Sequence, residues 1–123
     1  MAIPTKQRIR RPAEFRRVFA CGKRTSDPYL NITVLRNELS YSRVGLSVSK
    51  RVGHAVTRNL VKRRMRHALA EMNIAGGWDV VVTAKPQVSS VSYSTLDEVM
   101  KRSLNRLGVR VHPGDPGSSG VSE

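Results

Sequence analysis

The sequence has few acidic residues and a single cysteine. Only 9 Asp and Glu residues stand against 22 Lys and Arg, which gives a formal net charge of +13 over 123 residues. Such an excess predicts a polyanionic partner, because the self-repulsion must be offset by a bound species or by salt. The lone Cys21 excludes an internal disulfide and is typical of a reducing compartment. We therefore expect a cytoplasmic protein in which Cys21 is a small helix residue.

Long apolar runs are also missing, which argues against a membrane partner. The longest run, WDVVVTA at residues 78–84, has the length of a strand and falls far short of the ~20 residues that span a bilayer. The basic N-terminus is not followed by an apolar segment, so it does not have the pattern of a secretory signal. We expect no membrane partner, and nucleic acid and acidic protein remain as candidates.

The residues that commonly carry hydrolytic chemistry are scattered along the chain. A protein nuclease needs clustered carboxylates for Mg²⁺ or an acid–base pair built around a histidine. Only Asp97 and Glu98 are adjacent, and they fall in the predicted first turn of a helix, where the macrodipole favours acids. His54, His67 and His112 do not have the spacing of metal ligands. We therefore predict no catalytic residue and no tightly bound metal in the protein itself.

The apolar patterns predict a single α/β sandwich, an α+β fold, in residues 1–111. A helix is expected from Pro12 to Gly22, and the stretches YLNITVLRN and RVGLSVSK alternate as strands do. The second strand carries only Gly and Ser on its other face, so a partner can approach its backbone closely. A basic helix ending near Gly76 and the buried strand WDVVVTAK follow it.

The chain then closes with a last helix and a polar tail. Ser94, three residues before Asp97, has the pattern of a helix start, and Gly108 has the pattern of a helix stop. The order is thus helix, two or three strands, helix, strand, helix. Residues 112–123 are rich in Pro, Gly and Ser, and we expect a disordered tail there.

The basic helix separates its apolar residues from its charged ones. On a helical wheel its apolar residues occupy an arc of about 100°, and they are Val61, Met65, Ala68, Leu69 and Met72. Its cations lie beside that arc, with no acid before Glu71, and Arg64 is the outlier. A solvated face usually mixes acids with bases, so we interpret this one as a phosphate-binding face.

This region carries a family resemblance. The stretch RVGLSVSKRVGHAVTRNLVKRRMRHAL, residues 43–69, resembles the protein subunit of bacterial ribonuclease P, the ribonucleoprotein that removes the 5′ leader of precursor tRNA. The shared pattern is SVSK, then VGHAV, then RN followed by KR and a further Arg. A weaker resemblance extends over the rest of the chain except the tail.

The resemblance implies a fold and a division of labour. The fold has the order α-β-β-β-α-β-α, with a four-stranded mixed sheet and a left-handed βαβ crossover. The RNA subunit is the catalyst and uses Mg²⁺. The protein binds that RNA, with one copy per RNA, contacts the single-stranded leader of precursor tRNA, and strengthens substrate and Mg²⁺ binding.

The resemblance also assigns residues. Seven positions match the RNA-binding motif, and we call them the basic surface: Lys50, Arg51, Arg58, Asn59, Lys62, Arg63 and Arg66. Phe15, Phe19 and, as a lesser candidate, Tyr29 match the leader-binding cleft. The sequence departs from the family at Leu60, where an Arg is common, and at Ile32, where relatives often have a cleft tyrosine. We therefore expect one phosphate contact and one stacking contact fewer.

Three alternatives stay open from the residues alone. A ribosomal or assembly protein with the same basic face would bind its RNA without altering precursor-tRNA cleavage. A DNA-binding module would prefer duplex DNA, although the neighbouring Leu60 and Val61 offer little base readout. A protein nuclease would cut without any RNA component.

Overall fold

The computed structural model describes residues 5–111, and the predicted tail at 112–123 lies outside them. Three α-helices and four strands, with three short 3₁₀ turns, make up this part of the chain. In chain order they are a turn at Thr5–Gln7, α1 at Pro12–Cys21, β1 at Lys23–Ser26, β2 at Leu30–Arg36, β3 at Arg43–Ser47, a turn at Lys50–Val52, α2 at Ala55–Met72, β4 at Trp78–Ala84, a turn at Pro86–Ser90 and α3 at Tyr93–Arg106. The predicted order is confirmed.

The four strands form one mixed sheet in the order β1-β2-β4-β3. The hairpin partners β1 and β2 are antiparallel, β2 and β4 are antiparallel, and β3 runs parallel to β4. Beyond β3, the segment before α1 adds a short parallel bridge, in which the Ile9 N–H donates to the Val44 carbonyl at 2.8 Å.

Helices cover both sides of the sheet. The larger core cluster joins Leu30, Ile32 and Val34 of β2 to residues of α2 and α3, and we call this the α2 side. A smaller cluster joins Ile9, Val18 and Val81 with Phe15 and Leu35, and it lies under α1 on the opposite α1 side. The strands alternate between the two sides, as side chains in a pleated sheet must.

The crossover from β3 through α2 to β4 is left-handed. With β3 pointing up and the α2 side facing the viewer, an L-residue whose side chain points at the viewer directs its N–H and C=O to the right. Val44 is such a residue, and its carbonyl accepts from Ile9, so the N-terminal segment lies on the right and β4 on the left. The chain leaves β3, passes in front of the sheet as α2 and returns to the sheet in β4 on the left. This path is a left-handed crossover, against the ~98% preference for right-handed ones. The hand implied by the resemblance is confirmed.

Several local expectations were wrong. The residues TSDP at 25–28 have the composition of a turn, but Thr25 and Ser26 belong to β1 and pair with β2. Helix α3 starts two residues early, where the Ser92 hydroxyl accepts from the Thr95 N–H at 3.1 Å. Helix α2 ends at Met72 and is closed by Asn73 with φ of 49°, before the glycines. Gly108, with φ of 83°, does follow the end of α3 as predicted.

Ile32 does not occupy a cleft position. Its side chain is fully buried in the larger cluster on the α2 side. The residues of β2 that face α1 are its neighbours Asn31 and Thr33, because adjacent residues of a strand point to opposite sides. The expected loss of a stacking contact at Ile32 therefore has no structural basis.

Candidate nucleic-acid interface

Helix α2 presents the basic surface as the wheel predicts. All five residues of the predicted apolar stripe are buried against the sheet and α3. The members of the basic surface on this helix remain exposed or half-buried beside that stripe. Burial of one stripe thus fixes the direction in which the neighbouring cations point.

No acid neutralises these cations within the described residues. The ion pairs formed by residues 5–111 involve Arg43, Lys101 and Arg102, and none of them involves the basic surface. The Nε atom of Arg58 is buried and finds no hydrogen-bond partner among the described residues. A buried donor without an acceptor costs free energy, and no contact among the described residues offsets that cost at Arg58.

The entry to α2 holds two further cations close to the helix start. Lys50 and Arg51 lie in a 3₁₀ turn that the Ser49 hydroxyl caps by accepting from the Arg51 N–H at 3.3 Å. Gly53 then takes φ of 155°, and a Cβ there would come within 3.0 Å of Thr57. Glycine at this position lets the chain turn directly from the two cations into α2.

The aromatic residues of α1 lie over the other side of the sheet. The Phe15 ring packs on Gly45 of β3 so closely that a Cβ there would be 2.8 Å from it. The Gly–Ser face of β3 is therefore not open to a partner at Gly45, because the Phe15 ring already covers that residue. Phe19 remains 45% exposed, and its ring centroid lies 6.5 Å from that of Phe15. The two rings form an adjacent pair, of which only Phe19 is largely open to solvent.

A row of polar side chains crosses the sheet next to this pair. It runs through one residue of each strand on the α1 side, and the strand register aligns Ser26, Asn31, Thr83 and Ser47. The Asn31 Oδ1 atom is buried without a hydrogen-bond partner among the described residues. Tyr29, by contrast, packs against the larger cluster, so the structure does not group it with Phe15.

A charged network fixes α1 on the sheet. The Arg43 guanidinium donates to Asp79 at 2.6 and 2.9 Å and to Glu14 of α1 at 2.8 Å, and Asn37 also donates to Asp79, at 2.9 Å. Burial acts to raise the pKa of Glu14, but the hydrogen bond and charge of Arg43, together with backbone hydrogen bonds at Arg11 and Arg10, lower that pKa overall. The hydrogen bond with Asp79 raises the pKa of Arg43 in spite of its burial. The network therefore ties α1 to β3 and β4, and Glu14 and Arg43 keep their charges in it at neutral pH.

The structure adds two arginines that sequence reasoning missed. Arg8 and Arg10 belong to the segment bridged to β3, and together with Lys62 and Arg66 of α2 they line a cleft of about 260 Å³. We call it the β3 cleft. The alternation Arg8-Ile9-Arg10 was the available signal, because it has the period of a strand edge with one apolar residue facing the core.

The described residues offer little for other kinds of site. Within residues 5–111, no group of three or more His, Cys, Asp or Glu side chains is placed to hold a metal ion. In the same range, no helix is both long enough and apolar enough to cross a bilayer. The sheet is covered by α2, whose cations are not paired with acids among these residues. This arrangement is typical of one class of protein, a small basic protein that binds a nucleic acid backbone.

Comparison with known proteins identifies the family. The family model for Ribonuclease P matches residues 3–108. The ribonuclease P protein component of Geobacillus kaustophilus is 37% identical over 93% of this chain and 97% of its own. An RNase P protein mutant from Staphylococcus aureus superposes with a TM-score of 0.77 at 25% identity, covering 85% of this chain and 90% of its own. The RNase P protein from Thermotoga maritima gives 0.68 at 29% identity, covering 81% and 94%.

The chain belongs to the bacterial ribonuclease P protein family. It is a component of a ribonucleoprotein that processes tRNA, and its partner is an RNA subunit.

Proposed function

We propose that this protein binds the ribonuclease P RNA through the basic surface, one copy to each RNA, and that the RNA carries out the cleavage. The observation that carries the proposal is the set of cations on and before α2, none of which is paired with an acid among the described residues. Binding to RNA releases the counterions that these cations and the phosphates hold in solution, and this release drives association. We place this work in the cytoplasm, where the exposed Cys21 stays reduced.

The α1 side is the proposed site for the 5′ leader of precursor tRNA. Phe19 offers an exposed ring on which a base can stack without regard to sequence, and the Phe15 ring lies beside it one helical turn away. The polar row through Asn31 supplies hydrogen-bonding groups beside the rings. Tyr29 stays a lesser candidate, because its packing on the larger cluster leaves it apart from the pair.

The Mg²⁺ that supports cleavage is proposed to be held by the RNA. The protein's own part is to neutralise phosphates and to position the leader. The first effect reduces the repulsion between substrate and RNA and the second adds contacts to the substrate, so less Mg²⁺ is needed for productive binding.

The test is precursor-tRNA cleavage at low Mg²⁺ with a bacterial ribonuclease P RNA, with and without the protein. The protein alone is the control for a nuclease activity of its own. We expect efficient cleavage at the mature 5′ end only in the mixture. RNA binding without any effect on cleavage would contradict the proposal and favour a ribosomal or assembly role.

A further inference from the structure

The β3 cleft joins the N-terminal segment to the basic surface. Ile9 packs in the smaller cluster on the α1 side, so its neighbours Arg8 and Arg10 point to the α2 side. There they line the same cleft as Lys62 and Arg66, which are one turn apart on α2. Four cations from two separate elements thus surround one opening.

The floor and the size of the cleft limit what it can hold. Val44 and Leu46 of β3 form its apolar floor, and none of the described side chains that line it is acidic. A volume of about 260 Å³ is below the ~300–1,000 Å³ of small-molecule sites. The cleft therefore suits one group of a polymer rather than a whole small molecule. Because positive side chains surround it, its electrostatics favour an anionic group.

We propose that the β3 cleft grips a single backbone phosphate of the ribonuclease P RNA between Arg10 on one wall and Lys62 on the other. Arg8 and Arg66 extend the same two walls. This inference rests on the proposed function, because it assigns a contact within the RNA-binding surface. It adds the N-terminal segment to that surface and places one nucleotide of the RNA against the edge of the sheet.

The hydrogen bond from Ile9 to Val44 holds the backbone of one wall in place. The Ile9 nitrogen lies 2.8 Å from the Val44 oxygen, which fixes the backbone between Arg8 and Arg10 beside β3. The buried stripe of α2 fixes the position of the opposite wall. Two cations held on separate fixed walls bind a phosphate with less ordering of side chains than two cations on a mobile segment. A phosphate shared in this way depends on both walls together.

The test uses Arg10→Gln and Lys62→Gln, with Arg17→Gln as the matched control. Arg17 is also an exposed arginine, but it lies on α1 outside the cleft. Phosphorothioate-substituted RNA is bound by each variant and cleaved with iodine, so that every protected phosphate is mapped. Affinities for the RNA are measured at the same salt concentration, and thermal melts confirm that each variant is folded.

We expect Arg10→Gln and Lys62→Gln each to weaken RNA binding about tenfold, as loss of a charge-assisted hydrogen bond does. Both variants should lose protection at the same phosphate, and Arg17→Gln should keep it. Loss of protection at two different phosphates, or an Arg10→Gln variant that behaves like the control, would overturn the inference. If wild-type protein fails to bind the RNA, the proposed function itself has failed, which is a distinct outcome.

Discussion

Replacing Phe19 by leucine separates leader binding from folding. The ring is 45% exposed, so an apolar side chain of similar size in its place should cost less than ~1.5 kcal/mol of stability. Stacking of a base on an aromatic ring contributes about 1–3 kcal/mol, equal to a loss of about 5- to 150-fold in affinity. The variant should therefore fold normally and bind leader-bearing precursor tRNA much more weakly.

The assay compares the affinity of the reconstituted holoenzyme for precursor tRNA with its affinity for the same tRNA without a leader. Phe19→Tyr is the matched control, because it keeps a stacking ring and should retain wild-type discrimination. Phe15→Leu is the contrasting variant, since its ring also packs on Gly45 and its loss should lower stability as well. Equal weakening of both tRNAs by Phe19→Leu would refute the assignment of a leader site on the α1 side.

Three further substitutions test other parts of the structure. Gly45→Ala should move the Phe15 ring, since the added Cβ lies 2.8 Å from it, and we expect a loss of ~1–3 kcal/mol in denaturant unfolding together with weaker leader binding. Gly53→Ala should destabilise the entry to α2 by ~1–3 kcal/mol, because φ is 155° there, and RNA affinity should fall with it. Glu14→Gln tests the anchor of α1: Arg43 lowers the pKa of Glu14, so the pair stabilises above about pH 4–5 and is lost below it. The melting temperatures of wild type and Glu14→Gln should differ at pH 7 and converge as the pH falls through the lowered pKa, and parallel curves would exclude the pair as the cause.

The sequence predicts those elements whose apolar period is strong. Leu30, Ile32 and Val34 alternate cleanly, and the stripe of α2 has helical spacing, so both were identified correctly. Strand β1 has mostly exposed residues and no apolar alternation. It is a strand because it pairs with β2 in a hairpin, and the local sequence pattern of β1 does not show this pairing.

Contacts between distant segments are also beyond local patterns. The packing of Phe15 on Gly45 and the pairing of Ile9 with Val44 join segments 30 and 35 residues apart, and both depend on which strand occupies the sheet edge. The alternation Arg8-Ile9-Arg10 is typical of a strand edge, but no local pattern shows that this edge lies beside Lys62 and Arg66 of α2. The helix start predicted at Ser94 was wrong because Ser92 is the cap, and local propensity does not distinguish two nearby serines.

The central claim is that the basic surface engages the phosphates of the ribonuclease P RNA. The most direct measurement is the dissociation constant for that RNA over a series of salt concentrations, for wild type and for the variant in which Arg58, Lys62 and Arg66 are replaced by alanine. A control variant removes the same charge elsewhere through alanine at Arg16, Arg17 and Arg106, which are exposed on α1 and α3.

We predict weaker binding by the first variant and a log–log salt slope that is shallower by about 2 to 3, since each lost phosphate contact removes about 0.7 to 0.9. The control variant should keep a slope close to that of wild type. An unchanged slope in the first variant, or equal changes in both variants, would contradict the account.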